Sequence, residues 1–561
     1  MVWYHKVVLW YEHDDFQQNL GTDRIIMATL PIFFVRSLPI LLLLGTFCFS
    51  PFVQAEFLQS RQQGFGFGIP QAEQNQVHPS SGNCTESFFE QKVDHFSYTS
   101  NATFLQRYFI YDQFWTKRSS GENGPIFFYV GNEADVTLYV NASGLMWENA
   151  PNFGALLVFA EHRFYGKSQP FKDLNNNNQL GYLSSEQALA DYAVLLNHLK
   201  TTLKCPESPV IGFGGSYGGM LGTWMRMKYP HVLDGVIAAS APIWHFLGDT
   251  PSPDPYAYAS IITRAASKEG GATDTCKENV RATWEPFFSL GKTVEGRGKV
   301  SRSFRLCSEL QSENEVNAFA LWIQDAWSSM AMGNYPFASS YLLNGEANLP
   351  AWPIRVACSF LDFAISEGAV DELFDAHRLA IGVFYNTTGD QSCFDWQNAA
   401  NDENEYVNNH WDYQYCTEMF MPMGTNGVTD MFWANQFDLE SEIQRCFSKW
   451  GVKPRTTWAW TQYGGHDIAS TTNILFSNGF LDPWSGTGVL QSITKDLPAI
   501  IIKDGAHHLD LMFSTPDDPE SVIEARHLEV NAIQKWINLA YQKQQRILTD
   551  DNFRDGIITM M

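Results

Sequence analysis

The chain has 561 residues, of which 45% are hydrophobic and 17% charged, and its formal net charge is -24. This length and composition indicate a folded protein of two or more domains and exclude a largely disordered chain. The acidic balance argues against nucleic acid and anionic membranes as partners, because both bind basic surfaces.

The N-terminal segment 1–55 has the features of a secretory signal peptide preceded by an extension. An apolar run, Pro39–Phe49, follows Arg36 and precedes a small-residue cleavage site that ends at Ala55. Met27 would begin a leader of ordinary length, and an uncleaved signal anchor is the alternative. We expect entry into the secretory pathway and no stable membrane insertion after cleavage, with lysosome and extracellular space both open as destinations.

Cysteines and glycosylation sequons agree with this compartment. Eight of the nine cysteines lie outside the leader, and an even number favours disulfides, although the pairing stays open. Asn-x-Ser/Thr sequons make four glycosylation candidates, Asn83, Asn101, Asn141 and Asn386. No C-x-x-C pair occurs, and we predict neither a metal site nor a cofactor.

Beyond a linker or pro-segment at 56–83, short apolar runs alternate with helical patterns. The predicted strands are Ile126–Val130, Ala155–Ala160, Pro209–Phe213, Gly235–Ala239, Asn473–Ser477 and Ala499–Ile502. One helix is predicted after Ser184, which has capping-box spacing to Gln187, and another over about Ser521–Lys543. Such alternation indicates an α/β fold with a parallel sheet.

The segment 242–385 has a mainly helical pattern and interrupts this alternation. We interpret it as a cap domain inserted between two parts of a sheet domain, 84–241 and 386–546. The last residues, 547–561, are interpreted as a polar tail.

The pentapeptide Gly214-Gly215-Ser216-Tyr217-Gly218 fits the pattern G-x-S-x-G. It lies between a predicted strand and a predicted helix, Met220–Lys228, which is the context of a nucleophile elbow. The motif predicts an α/β-hydrolase fold, with a mainly parallel central sheet and an inserted helical cap, in which Ser216 is the nucleophile. A structural glycine-rich turn is the alternative.

A serine nucleophile needs a base, and in this fold the acid and the histidine follow the serine in that order. Asp482 comes after a predicted strand, although an aspartate before proline is also a common turn former. His507 and His508 follow the last predicted strand. In extended backbone their side chains point apart, so only one can face Ser216. We select His507 as the base and His508 as its neighbour.

Two backbone N–H groups would form the oxyanion hole. Tyr217, after the nucleophile, provides the first, and Asn132, in the loop after an early strand, provides the second. Glu133 would bind either a substrate amine or a neighbouring basic group such as Arg163.

Several stretches together resemble one family of serine peptidases, over about residues 93 to 541. They are Val93–Phe96, Gly131–Glu133, Glu161–Gly166, Tyr182–Asp191, Gly214–Met220, Asn478–Trp484 and Gly505–Leu511. The family comprises lysosomal Pro-Xaa carboxypeptidase, dipeptidyl-peptidase II and thymus-specific serine protease. Pro350–Ile354, Met421-Pro422 and Thr425–Val428 are most similar to the Pro-Xaa carboxypeptidase branch.

This resemblance implies cleavage of a Pro-Xaa bond with release of the C-terminal residue, an acidic pH optimum and a helical cap over the active site. It also implies a proline pocket lined by Met220, Met421 and Trp484. Flexible methionines and a flat indole can enclose an apolar ring, although such residues are more often part of a core. The expected partners are peptides with proline near one terminus, and a homodimer stays open.

Two positions depart from the family pattern. Ala134 stands where a glycine is usual, which we expect to shift the oxyanion loop slightly. Met512 stands where an arginine is usual, which would leave His508 without a basic partner. The alternatives are a dipeptidyl aminopeptidase that releases N-terminal Xaa-Pro and a non-catalytic binding protein with the same fold.

Overall fold

The computed structural model describes residues 78–560, apart from 120, 172–176, 344–346, 367 and 398–403. The predicted leader and nearly all of the predicted linker lie outside the described residues. No helix in the described part of the chain is both long enough and apolar enough to cross a membrane.

Eight strands form the central sheet. The strands of the described chain are β1 (Thr85–Lys92), β2 (Thr103–Tyr111), β3 (Ile126–Tyr129), β4 (Leu156–Ala160), β5 (Val210–Gly215), β6 (Gly235–Ala239), β7 (Thr425–Asn426), β8 (Ala434–Asn435), β9 (Ile474–Gly479) and β10 (Ala499–Ile502). The sheet order is β1-β2-β4-β3-β5-β6-β9-β10, while β7 and β8 pair with each other. All neighbours from β4 to β10 are parallel, and only the β1–β2 and β2–β4 pairs are antiparallel.

Helices follow most strands of the sheet. Those of the described chain are α1 (Val136–Ala142), α2 (Gly144–Phe153), α3 (Asn177–Leu180), α4 (Ser185–Thr202), α5 (Tyr217–Lys228), α6 (Ala257–Ala265), α7 (Asp274–Gly291), α8 (Val294–Ser303), α9 (Glu313–Met332), α10 (Pro353–Ser359), α11 (Val370–Tyr385), α12 (Asn404–Thr417), α13 (Leu439–Trp450), α14 (Trp458–Tyr463) and α15 (Glu520–Met560). Mainly parallel strands with intervening helices confirm the predicted α/β-hydrolase class.

The centre of the sheet is fully enclosed. Every residue of β3, β4, β5, β6 and β9 is buried, as expected for parallel strands covered by helices on both faces. The helix α15 packs on this sheet so closely that a side chain at Gly235 would overlap the ring of Trp536. Burial of each large apolar side chain contributes about 1.5 to 3 kcal/mol to folding.

All six predicted strands are present, with ends displaced by no more than two residues. The strands β1 and β2 were not predicted, because β1 is an edge strand with exposed polar residues and Gln91 is its single buried side chain. The predicted cap of α4 is present, since Ser184 Oγ accepts the N–H of Gln187 at 3.4 Å. The helix α15 runs to Met560, well beyond the predicted end at Lys543.

The chain between β6 and β9 forms the helices α6 to α14, and we refer to residues 240–473 as the insert. It continues past the boundary at 385 that the sequence pattern indicated. Three disulfides cross-link the insert: Cys276–Cys358, Cys307–Cys393 and Cys416–Cys446. Cys84 and Cys205, outside the insert, are free thiols.

Candidate active site

Ser216 lies in a sharp turn between β5 and α5. Its backbone has a φ of 56° and a ψ of -128°, which is an unusual conformation for a residue with a side chain. Its N–H donates to the carbonyl of Ala239 in β6 at 3.0 Å. Small neighbours are required, since a Cβ at Gly219 would lie 2.9 Å from that same carbonyl oxygen. The turn has the strand–serine–helix geometry of a nucleophile elbow.

Asp482 and His507 are hydrogen-bonded to each other. The distance from His507 Nδ1 to Asp482 Oδ1 is 3.0 Å, and both side chains are buried. Asp482 follows β9, and its Oδ1 also accepts the N–H of Trp484 at 3.1 Å. The aspartate therefore both stabilises a turn and contacts the histidine. The sequence had left these two roles, turn former and partner of a histidine, as alternatives.

The insert holds the backbone of His507. The N–H of His507 donates to the carbonyl of Met332 at 3.2 Å. The hydroxyl of Tyr335 donates to the carbonyl of His507 at 3.2 Å. The histidine that follows β10 is thus anchored by two residues from the insert.

One cavity joins these groups. Ser216 and His507 both line it, together with Asn132, Glu133 and Tyr217. Ser216 is partly exposed to this cavity, whereas the flanking residues Gly215 and Tyr217 are buried. The same cavity is therefore lined by three groups: a serine hydroxyl, an imidazole oriented by a carboxylate, and the first residue of a helix.

His508 also lines the cavity, contrary to the prediction that only one of the two histidines faces it. Its backbone is left-handed, with φ 39° and ψ 39°, so the extended-chain argument that separated the two histidines was wrong. The rings of His507 and His508 have centroids 4.4 Å apart. Burial, followed by the neighbouring His507, lowers the pKa of His508 well below its ordinary value.

The loop that contains His508 has a basic neighbour, but not at position 512. Met512 is buried, and the guanidinium of Arg526 from α15 donates to the carbonyls of Asp510, Leu509 and Met512 at 3.0 to 3.2 Å. Arg526 therefore supports the backbone after His508.

The predicted oxyanion loop is held close to the elbow. The hydroxyl of Tyr192 donates to the carbonyl of Gly131 at 2.6 Å. A Cβ at Gly218 would lie 2.9 Å from the side-chain oxygen of Asn132, so the start of α5 and this loop touch. Tyr217 is the first residue of α5, and its N–H has no acceptor within the helix. The position of Asn132 beside it fits the expected second donor.

Ala134 fits this loop without left-handed backbone. It is buried, it donates its N–H to the carbonyl of Asn132 at 2.8 Å, and it is not among the residues with positive φ. Alanine is therefore accommodated here in an ordinary conformation.

Glu133 does not pair with Arg163. The guanidinium of Arg163 binds Asp191 at 2.7 Å and the carbonyl of Val93 at 2.7 Å. Glu133 instead lines the cavity, where its Oε2 accepts the side-chain amide of Asn132 at 2.9 Å. Burial raises the pKa of this carboxyl.

The expected proline-pocket residues Met220, Met421 and Trp484 all line the cavity and are buried. Trp484 contacts the insert, because its indole N–H lies 3.3 Å from Met332 Sδ. Its ring contacts Tyr258 edge-on, with centroids 4.9 Å apart.

Further lining residues were not predicted from the sequence. They are Pro242, Met332, Tyr341, Leu342 and Trp411. All belong to the insert, where apolar residues at helical spacing are indistinguishable from core positions. The sequence therefore carried no signal that would have identified them.

A buried polar network lies behind Tyr217. The amide of Gln414 donates to the hydroxyl of Tyr217 and to Glu418 Oε1, both at 3.0 Å. Glu418 also accepts the N–H of Ser185 at 2.8 Å and its hydroxyl at 2.9 Å. Burial raises the pKa of Glu418 to about 7. This network connects the insert to α4 and to the residue after the nucleophile.

The four sequons lie on the described surface. Asn83 and Asn101 are exposed, whereas Asn141 and Asn386 are half-buried. Asn141 Oδ1 accepts the N–H of Ser81 at 2.8 Å, and Asn386 Oδ1 accepts that of Gln391 at 2.8 Å. Glycosylation at these positions stays a prediction.

Comparison with known proteins assigns the family. The model of the serine carboxypeptidase S28 family matches residues 91–529. Human lysosomal Pro-X carboxypeptidase is 43% identical over 463 residues, which cover 82% of this chain and 89% of that protein. The Caenorhabditis elegans prolyl carboxy peptidase like protein 5 is 37% identical, and the match covers 81% of this chain and 90% of that protein. Mouse thymus-specific serine protease is 27% identical, and the match covers 85% of this chain and 91% of that protein. The chain is a serine-type peptidase and belongs to the serine carboxypeptidase S28 family.

Proposed function

We propose that this peptidase is a Pro-Xaa carboxypeptidase that acts through Ser216, His507 and Asp482. The observation that carries the proposal is the single cavity at which Ser216, His507 and an apolar wall meet. The relatives named as Pro-X carboxypeptidases from several mammals support the same substrate class. Peptides with proline before the C-terminal residue are the expected substrates.

The chemistry is acyl transfer. His507 accepts the proton of the Ser216 hydroxyl as its oxygen attacks the carbonyl carbon of the substrate proline. Asp482 orients the imidazole through the 3.0 Å hydrogen bond and stabilises its protonated form. His507 then donates that proton to the leaving amine as the peptide bond breaks, and the C-terminal residue departs.

Water completes the turnover. His507 removes a proton from a water molecule that attacks the acyl-enzyme, and the proton passes to Ser216 Oγ as the ester bond breaks. The N–H groups of Tyr217 and Asn132 stabilise the oxyanion in both halves of the reaction. Removing one such donor costs about 3 to 4 kcal/mol in other hydrolases.

The apolar wall accounts for the selection of proline. Met220, Met421 and Trp484 present a thioether-rich and aromatic surface to the cavity. A pyrrolidine ring has no N–H when it is in a peptide bond, so it loses little hydration in such a pocket.

The three disulfides support residence in the secretory pathway, since such bonds persist in oxidising compartments. The lysosomal mammalian relatives support the same route. A lysosomal or extracellular destination is therefore the proposed location.

Two substrates test the proposal. An N-blocked peptide that ends in Pro-Phe should be cleaved with release of phenylalanine, whereas a free-amine Xaa-Pro reporter should be cleaved poorly. Cleavage of the reporter alone would instead identify a dipeptidyl aminopeptidase. Failure of the protein to react with a fluorophosphonate would favour a non-catalytic binding protein.

A further inference from the structure

The cavity lacks a permanent cation. Among its described lining residues there is no lysine or arginine, and the acidic and histidine side chains are Glu133, His507 and His508. A Pro-Xaa carboxypeptidase must nevertheless accommodate the free carboxylate of the departing residue, within one residue of the scissile bond. Proteins usually bind such a carboxylate with arginine or lysine.

Glu133 lies next to the reaction centre by virtue of its position in the chain. It immediately follows Asn132, the proposed oxyanion donor, and both residues line the cavity with Ser216. A substrate carbonyl held at Asn132 therefore brings the terminal carboxylate near the carboxyl group of Glu133.

The surroundings of Glu133 favour its neutral form. The titratable groups that face it are tyrosines from separate elements and one catalytic histidine: Tyr129 of β3, Tyr139 of α1, Tyr165, Tyr192 of α4, Tyr341 and His507. Arg163, the basic residue considered as a partner from the sequence, instead pairs with Asp191. Burial accordingly raises the pKa of Glu133.

We propose that Glu133 selects substrates by the state of their C-terminus: its protonated carboxyl donates a hydrogen bond to the substrate carboxylate, and its ionised form repels that carboxylate. This inference rests on the proposed carboxypeptidase function. It assigns Glu133 as the group that limits this activity to acidic pH. An O–H donor to a carboxylate makes a strong, charge-assisted hydrogen bond, whereas two facing carboxylates cannot both ionise without cost.

The sign of the pH effect follows from the protonation state. Below the pKa of Glu133 the carboxyl is neutral and the acid-terminated peptide binds well. As pH rises through that pKa, the repulsion appears for a peptide acid but not for the same peptide with a C-terminal amide. Both peptides require the same base, so any loss of that base lowers the rate of both in the same way.

The test compares an N-blocked peptide that ends in Pro-Phe with its C-terminal amide. For the wild-type enzyme, the ratio of kcat/KM for acid over amide should fall by about tenfold or more between about pH 5 and about pH 8. In Glu133→Gln the ratio should stay nearly constant, because the glutamine amide donates a hydrogen bond at every pH. Glu418→Gln, which removes a different buried carboxyl away from the cavity, should leave the wild-type fall in place.

Two results would overturn the inference while leaving the proposed function intact. A ratio that is independent of pH in the wild type would do so, even if the Glu133→Gln protein fails to fold. A fall that persists in Glu133→Gln would assign the effect to a histidine. If the ratio is constant because the rates for both peptides fall equally, the pH effect belongs to catalysis. Cleavage of neither peptide by the wild type would instead refute the carboxypeptidase function itself.

Discussion

The central sheet and the insert contribute to the site in different ways. The sheet presents the groups proposed to react, because Ser216 follows β5, Asp482 follows β9 and His507 follows β10. The insert supplies much of the cavity wall, including Met332, Tyr341, Trp411 and Met421. The groups proposed for the chemistry therefore belong to the sheet, and most of the cavity wall belongs to the insert.

The two regions are also stabilised differently. The core strands of the sheet are buried throughout, so apolar packing holds them. All three disulfides found among the described residues lie in the insert. Changes in the sheet should consequently alter rate, whereas changes in the insert should alter stability and selectivity.

Loss of the nucleophile should have the largest effect. Ser216→Ala should reduce kcat on the Pro-Phe peptide by about a million-fold, as in other hydrolases with this mechanism. The melting temperature should not fall, because alanine fills the same turn. Fluorophosphonate labelling should vanish, while Ser359→Ala at an exposed serine should label normally. Peptidase activity close to wild type in Ser216→Ala would refute the assignment.

Removal of a disulfide should destabilise the insert. Replacing Cys416 and Cys446 by serine opens a loop with a sequence separation of 30 residues. The expected loss is about 3 to 4 kcal/mol in the free energy of unfolding, because the unfolded chain gains freedom. Thermal unfolding measures this loss, and Cys84→Ser, at a free thiol outside the insert, is the control. Equal stability of the two variants would contradict the view that disulfides stabilise the insert.

The junction between the regions should respond to pH through Glu418. Its pKa in the folded protein is raised to about 7 by burial, above the ordinary value of 4.5, so the folded state binds an extra proton between these two values. Stability should therefore be fully present below about pH 4.5 and fall by about 3 kcal/mol as pH rises from there to just above 7.

Glu418→Gln should flatten that dependence, since glutamine keeps hydrogen-bonding capacity without a charge. Urea unfolding at several pH values provides the measurement, and Glu440→Gln at an exposed position is the matched control. A variant that loses stability with pH as steeply as the wild type would contradict the role of this carboxyl.

The smallest effect is expected from the apolar wall. Met421→Ala should raise KM for Pro-Phe peptides about tenfold while kcat changes little, because a truncated side chain costs about 1 to 2 kcal/mol of binding. A peptide with alanine in place of proline should be affected less. A large loss of kcat instead would mean that this residue of the insert takes part in positioning the reacting groups.

The sequence was sufficient to identify the candidate reacting groups that follow the strands of the sheet. The surroundings of Ser216 are local, since a short strand, small residues and a helix follow one another in the chain. Asp482 and His507 were identified by their order after the serine, and the structure joins them by a hydrogen bond. Local patterns and chain order are properties that a sequence retains.

Other features depend on tertiary structure and were missed. The left-handed backbone of His508 cannot be inferred from its residue type, because such a conformation is uncommon outside glycine. Tyr341 and Trp411 reach the cavity from distant helical segments without a distinctive motif. The cysteine pairs likewise became evident only in three dimensions, since many pairings satisfy the same spacing.

The place of the insert between β6 and β9 has a consequence for biosynthesis. The ribosome makes Ser216 long before it makes Asp482 and His507, because the whole insert is translated in between. The strand β6 gains its outer neighbour β9 only after the insert has emerged, and α15, which covers Gly235 through Trp536, comes last. A nascent chain therefore carries the proposed nucleophile without its proposed base. We expect such a chain to have no peptidase activity until the residues after β10 have been made.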